Sequence, residues 1–269
     1  MHPFGPLLLV ALLLAGPASA GAAEPPALVK ARGSYNAAEY DAAIQAALEA
    51  RKQPEWADAA ALVLGRAYLE RYRTNRDPAD LASAHGALSA VRAPALNERD
   101  FADLLVGLGQ YLYLTDAFGA AADVFDSALA GSTVLTARER LLLLDWWANA
   151  VDRSALARPA GTRGAVFERL IARMEEEVRR DPASPVANYW LPVAARGAGD
   201  VERAWEASAA GWVRAGLAPD TAGGARGDID RFVEQVLVPE RVRARGGREP
   251  QEALNAMIEE WRAFKAQWP

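Results

Sequence analysis

Cysteine is absent from the 269 residues, which excludes disulfides, thiolate metal ligands, Cys nucleophiles and a lipid-bearing cysteine behind a leader. Histidine is nearly absent: beyond His2 there is only His85, and a zinc cluster cannot be built from one imidazole without cysteine. A Ser-His-Asp triad would rest wholly on that residue, whose place between Ala84 and Gly86 in an apolar run reads more plainly as structural. Lysine occurs only at Lys30, Lys52 and Lys265, so nearly all positive charge is arginine. Acidic residues accompany the arginines along the chain and leave a net charge of −5, which argues against nucleic acid as a partner. Alternating Val/Ile/Thr runs that announce strands are also scarce.

One long apolar block is present. Leu7 to Ala15 (LLLVALLLA) is followed by Gly16-Pro17 and then by Ala18-Ser19-Ala20, and no Asp, Glu, Lys or Arg precedes Glu24. The pattern predicts a secretory signal peptide over residues 1–20, although the n-region lacks Lys and Arg. An uncleaved anchor is the alternative, opposed by Pro3, Pro6 and Pro17 and by a block well short of the ~20 apolar residues a span needs. No integral membrane segment is expected after its removal, and the mature chain is expected to be periplasmic or secreted. Without disulfides it must hold together by packing, for which 51% hydrophobic residues are ample.

Beyond Ala23 the chain is rich in Ala and Leu with helical periodicity. Pro and Asp punctuate it at about one helix length, as at Arg76-Asp77-Pro78 and Arg180-Asp181-Pro182. Asp followed by Pro starts a helix well: the carboxylate accepts from an orphan amide, and Pro at the first position forfeits no bond. The expected class is all-α.

Segments beginning near Glu24, Asp58, Ala102, Leu141 and Pro185 lie over one another at intervals of 34, 44, 39 and 44 residues. The third is the clearest: Leu108-Gly109 is followed by Tyr111 and Tyr113, then Ala121, Phe125 and Ala128 on a second helix. Leu64-Gly65 before Tyr68, Tyr40 with Ala43, Ala47 and Ala50, and Gly199 with Ala204 and Trp205 repeat the theme. This resembles the tetratricopeptide repeat family over Glu24 to Leu217. The resemblance implies an α-solenoid of antiparallel hairpins across residues 21–217; another α-solenoid or a bundle is the alternative. Leu112 stands where that family often has Tyr, and the fourth unit, around Asp145-Trp146-Trp147-Ala148, matches mainly by position. Gly109 is expected to be a close-packing site that tolerates Ala and rejects Leu.

Residues 218–269 are expected to be a linker, Ala218 to Arg226, and two capping helices. Asp228 to Arg245 carries Ile229, Phe232, Val233, Val236 and Leu237 on one face, and Glu249 to Trp268 carries Leu254, Met257, Ile258, Trp261 and Phe264. The alternative to a cap is a homo-oligomer contact through these helices.

Few motifs carry chemistry. Asp145 and Asp152 share a helix face and could serve a carboxylate-based hydrolase, but no companion motif supports them. Glu175 to Glu177 fan around a helix beside Arg179 and Arg180 and read as solvated or paired. Arg226-Gly227-Asp228 reads as a loop glycine and an Asp cap, and the tryptophans as mostly core. No catalytic residue, cofactor or metal is expected.

In tetratricopeptide proteins the inner face of the first helix lines a groove. The resemblance puts Arg32, Arg66, Gln110 and Asn149 just after the small position, with Tyr113, Asp152 and Arg196 among residues a turn further on. They form a candidate ladder for a protein or peptide partner in the cell envelope; an ordinary solvated face is the plainer reading. The family's clamp for a peptide carboxylate is not reproduced. The function expected is a non-enzymatic binding or assembly module, with a ligand-gathering accessory of a solute transporter as the alternative. N-terminal sequencing of the exported protein should begin at Gly21; an intact Met1 in a membrane pellet would contradict the leader.

Overall fold

A computed structural model describes residues 23–131, 133–217, 219–246 and 250–268. The leader expected over residues 1–20 lies outside them. The described residues contain helices and no strand, and no described helix is long and apolar enough to cross a membrane. Contacts divide the chain into two compact units, one ending at Ala150 and one beginning at Val151.

The first unit is built from α1 (Pro26–Asn36), α2 (Tyr40–Ala50), α3 (Ala57–Asn75), α4 (Pro78–Ser89), α5 (Glu98–Leu114), α6 (Phe118–Gly131) and the first part of α7 (Ala137–Leu156). Helices α1 and α2, α3 and α4, and α5 and α6 pack as consecutive pairs, and α3 also meets α1, α2 and α5. Asp77 caps α4 as its sequence suggests, accepting from the Ala79 amide at 2.9 Å with Pro78 beside it. Leu28, Ala31, Tyr35, Ile44, Val63 and Leu64 fill the core under the first pair. Leu62, Leu69, Leu88 and Leu104 do so under the second, each large side chain contributing about 1.5–3 kcal/mol by burial.

The second unit holds α8 (Ala160–Arg180), α9 (Pro185–Gly197), α10 (Val201–Ala215), α11 (Pro219–Phe232), α12 (Val238–Arg245) and α13 (Pro250–Ala266). Helix α9 packs on α8, α10 and α11. The expected linker is corrected over residues 219–226: they are helix, the opening of α11, in spite of their glycines. Arg226-Gly227-Asp228 is therefore helical as well, with Arg226 laid over the Trp212 ring at 5.0 Å. Between α11 and α12 runs a π-helical turn, Val233–Leu237. Pro239 supplies the reason, since its missing amide and its ring are incompatible with an unbroken α-helical ladder. Helix α13 docks through Trp261, fully buried, which packs edge-on against Trp205 and Trp212 and donates to Asp230 at 2.7 Å.

One turn recurs. After α1, the amides of Ala37, Ala38 and Glu39 reach the carbonyls of Gly33, Tyr35 and Ser34. After α5, those of Thr115, Asp116 and Ala117 reach Tyr111, Tyr113 and Leu112, and after α9, those of Ala198, Gly199 and Asp200 reach Ala194, Arg196 and Ala195. The middle residue is left-handed each time: φ is 60° at Ala38, 61° at Asp116 and 92° at Gly199. Only the third is glycine, so the first two hold a conformation that side chains disfavour.

Close approach of the helices explains the small residues. A Cβ on Gly65 would stand 2.6 Å from Cγ of Leu88, and one on Gly109 would stand 2.5 Å from Cδ1 of Phe125 and closer still to its Cε1. Phe125 is fully buried, and its ring would have to shift to admit a Cβ. The expected tolerance of Ala at Gly109 is thus overturned: Gly109→Ala should destabilise by about 1–3 kcal/mol through overpacking. Gly164→Ala, where nothing lies within 4 Å, should be neutral or stabilise by up to about 1 kcal/mol. Denaturant titration of the two variants checks the contrast.

Candidate binding face

Three residues of the candidate ladder, Arg32, Arg66 and Gln110, are buried. Arg32 on α1 is buried, and its Nη2 donates to Asp100 Oδ1 on α5 at 3.0 Å, while its Nε lies 3.0 Å from Glu24. The reach from α1 to α5 passes the intervening α3. Arg66 on α3 is 0% exposed; its Nη1 donates to Asp103 Oδ1 at 2.9 Å and its guanidinium lies over the Tyr35 ring at 5.1 Å. Asp103, also 0% exposed, accepts on its other oxygen from Arg99 Nε at 3.0 Å. Arg99 then reaches Glu139 on α7, Nη1 to Oε2 at 3.0 Å. Thr136 donates to the same oxygen from its amide at 2.8 Å and its hydroxyl at 2.9 Å.

The electrostatics follow from burial against pairing. Burial pushes the Asp103 carboxyl up while Arg66 and Arg99 pull it back. Burial also works against Glu139, but hydrogen bonds from Arg99 and Thr136 prevail and hold its carboxyl below the usual value. The Tyr35 hydroxyl is driven up by burial, with Arg66 opposing and Glu70 reinforcing. Gln110 is 2% exposed and its Oε1 has no hydrogen-bond partner.

Beyond this interior the same helix faces reach partial solvent. Tyr113 is half-buried and donates its hydroxyl to Asn149 Oδ1. Its ring meets Phe118 at 5.2 Å and Trp146 at 5.0 Å, both edge-on. Arg73 pairs with Glu70 and lies 5.8 Å from the Trp146 centroid. Arg73, Tyr113, Phe118 and Asn149 are each half-buried and make an aromatic and polar cluster around Trp146.

In the second unit, Asp152 is 8% exposed and its charge bears on Arg196. Arg196 donates through Nε to Glu240 Oε2 at 3.0 Å. His85 is exposed and stacks on Tyr111 with centroids 4.9 Å apart. Glu177 pairs with Arg173 and Arg180, and Glu175 with Arg203. Among the described residues no group of His, Cys, Asp or Glu could hold a metal ion.

Sequence reasoning missed the acids. Asp100, Asp103 and Glu139 complete the arginines, and the only local signal was the Arg99 to Asp103 spacing of four. Comparison with protein-family models, curated proteins and solved structures returns no match for this chain.

The depressed Glu139 has a sign that can be tested. A carboxylate whose folded value lies below its unfolded one adds stability that is present above the unfolded value, about 4.3, and lost as pH falls through the folded one. The stability difference between the parent and Glu139→Gln should therefore be largest near neutral pH and shrink below about pH 4. Urea titrations from acid to neutral pH measure it.

Proposed function

We propose that the protein is an exported, non-enzymatic binding or assembly module built of tetratricopeptide-like hairpins. It takes a protein or peptide partner on the half-exposed cluster of Arg73, Tyr113, Phe118 and Asn149. The carrying observation is the hydrogen bond from Tyr113 to Asn149. It fixes the amide so that Nδ2 is free to donate to a partner's backbone carbonyl, within a setting of Tyr, Trp and Arg of the kind that dominates binding energy at interfaces. The recurring three-bond turn after α1, α5 and α9 supports reading the hairpins as degenerate copies of one unit. Arg32, Arg66 and Gln110 support the face from behind instead of touching the partner.

Two variants separate the roles. Asn149→Ala should change stability by less than about 0.5–1 kcal/mol while weakening partner capture from the envelope fraction. Tyr113→Phe should weaken capture less, because it frees the amide without removing it. Capture undiminished by Asn149→Ala would contradict the proposed face.

A further inference from the structure

Helix α13 is held differently from the helices it covers. Of its seventeen residues only Met257 and Trp261 are buried, whereas α9 buries eight of thirteen. It is also a separate helix from α12. That helix ends at Gly246, whose φ of 61° and ψ of 156° form a glycine conformation, and α13 opens on Pro250, which suits the first position of a helix and not its interior.

One side chain anchors the docking. Trp261 lies edge-on against Trp205 and Trp212, with ring centroids 5.7 Å away in both cases, and its indole nitrogen donates to Asp230 on α11 at 2.7 Å. Charges of opposite sign flank it. Lys265, one turn further on, pairs with Asp230, lies 3.7 Å from Glu234 and stands 5.4 Å from the Trp212 ring centroid. On the other flank Glu260 is 3.6 Å from Arg241, whose guanidinium lies over the Trp205 ring at 4.3 Å. Arg241 also holds Glu202 through two hydrogen bonds, so it keeps a carboxylate whether or not α13 is in place. A short amphipathic helix with one aromatic anchor and complementary charges on either side has the anatomy of a peptide ligand seated in a groove.

We propose that α13 is an exchangeable helix: it leaves this groove while the rest of the unit stays folded, and the groove then takes α13 of a second copy, so that two chains trade helices. The occupant follows from complementarity. The sequence that answers Trp205, Trp212, Asp230 and Arg241 is that of α13, and a second copy offers it unchanged. The exchange does not draw on the partner face around Tyr113.

The test mixes two variants of the whole chain. Trp261→Ala spoils the helix and leaves the groove, whereas Asp230→Lys spoils the groove, by repelling Lys265 and removing the indole's acceptor, and leaves the helix. Alone, each should lose protection of the α13 amides against hydrogen exchange by about thirtyfold or more, the weight of one anchoring aromatic, with α9 and α10 unchanged. Mixed, they should sediment as a one-to-one dimer, and protection should return to α13 of the Asp230→Lys chain. If either variant does not fold, the parent decides: with isotopically heavy and light chains mixed, a carbodiimide should join Lys265 of one chain to Asp230 or Glu234 of the other. A mixture that neither associates nor regains protection, or parent cross-links confined within single chains, would overturn the exchange.

Discussion

Asp103 is the residue on which the first unit depends. Its carboxylate is shut off from solvent, and its two oxygens are each bonded to a different arginine, Arg66 from α3 and Arg99 from its own helix. Ionised carboxylates are buried only when so paired, because removal from water costs several kcal/mol even after relaxation. The pairing fixes where α3 lies against α5, at a spacing so close that a Cβ on Gly107 would stand 3.3 Å from the Arg66 stem. Arg99 extends the chain of charge to Glu139 on α7, and Arg32 ties α1 to the adjacent Asp100. Helices α1, α3 and α7 are thus joined through the opening turns of α5.

That arrangement decides which polar residues remain for a partner. The arginines so engaged on buried carboxylates are shut off from solvent, and their removal registers first as lost stability. Where the stripe emerges, at Tyr113 and Asn149, the groups are held by one neighbour and retain capacity toward solvent. Aromatic contacts with Phe118 and Trp146 restrict Tyr113 further, so the partner proposed for this cluster would lose little ordering entropy on meeting it.

The helical class was legible because Ala/Leu periodicity and the Asp77-Pro78 start depend only on neighbours in sequence. The pairing of Gly65 and Gly109 with large residues was legible in kind, since Phe125 and Leu88 sit at hairpin distance. Its tightness was not, because a contact of a few tenths of an ångström has no sequence signature. The stretch at 219–226 reads as a linker because Pro, Gly and Asp mark loops in isolation, whereas it opens a helix that packs as a whole on α9 and α10. The burial of Arg32 and Arg66 was hidden for a deeper reason. Arg32 and Arg66 look solvated from their own helices, and only the return of α5, 68 and 37 positions from their partners, brings the acids that bury them.

A double-mutant cycle on Arg66 and Asp103 tests the central claim most directly, with unfolding free energies for Arg66→Met, Asp103→Leu and the pair. Arg66→Met leaves the buried Asp103 carboxylate to Arg99 alone, and Asp103→Leu takes from buried Arg66 the carboxylate it bonds; each is expected to cost about 3–5 kcal/mol. The double change removes both charges and should cost much less than the sum. Two small, additive effects, each within about 0.5 kcal/mol, would show these side chains to be solvated and would contradict the account.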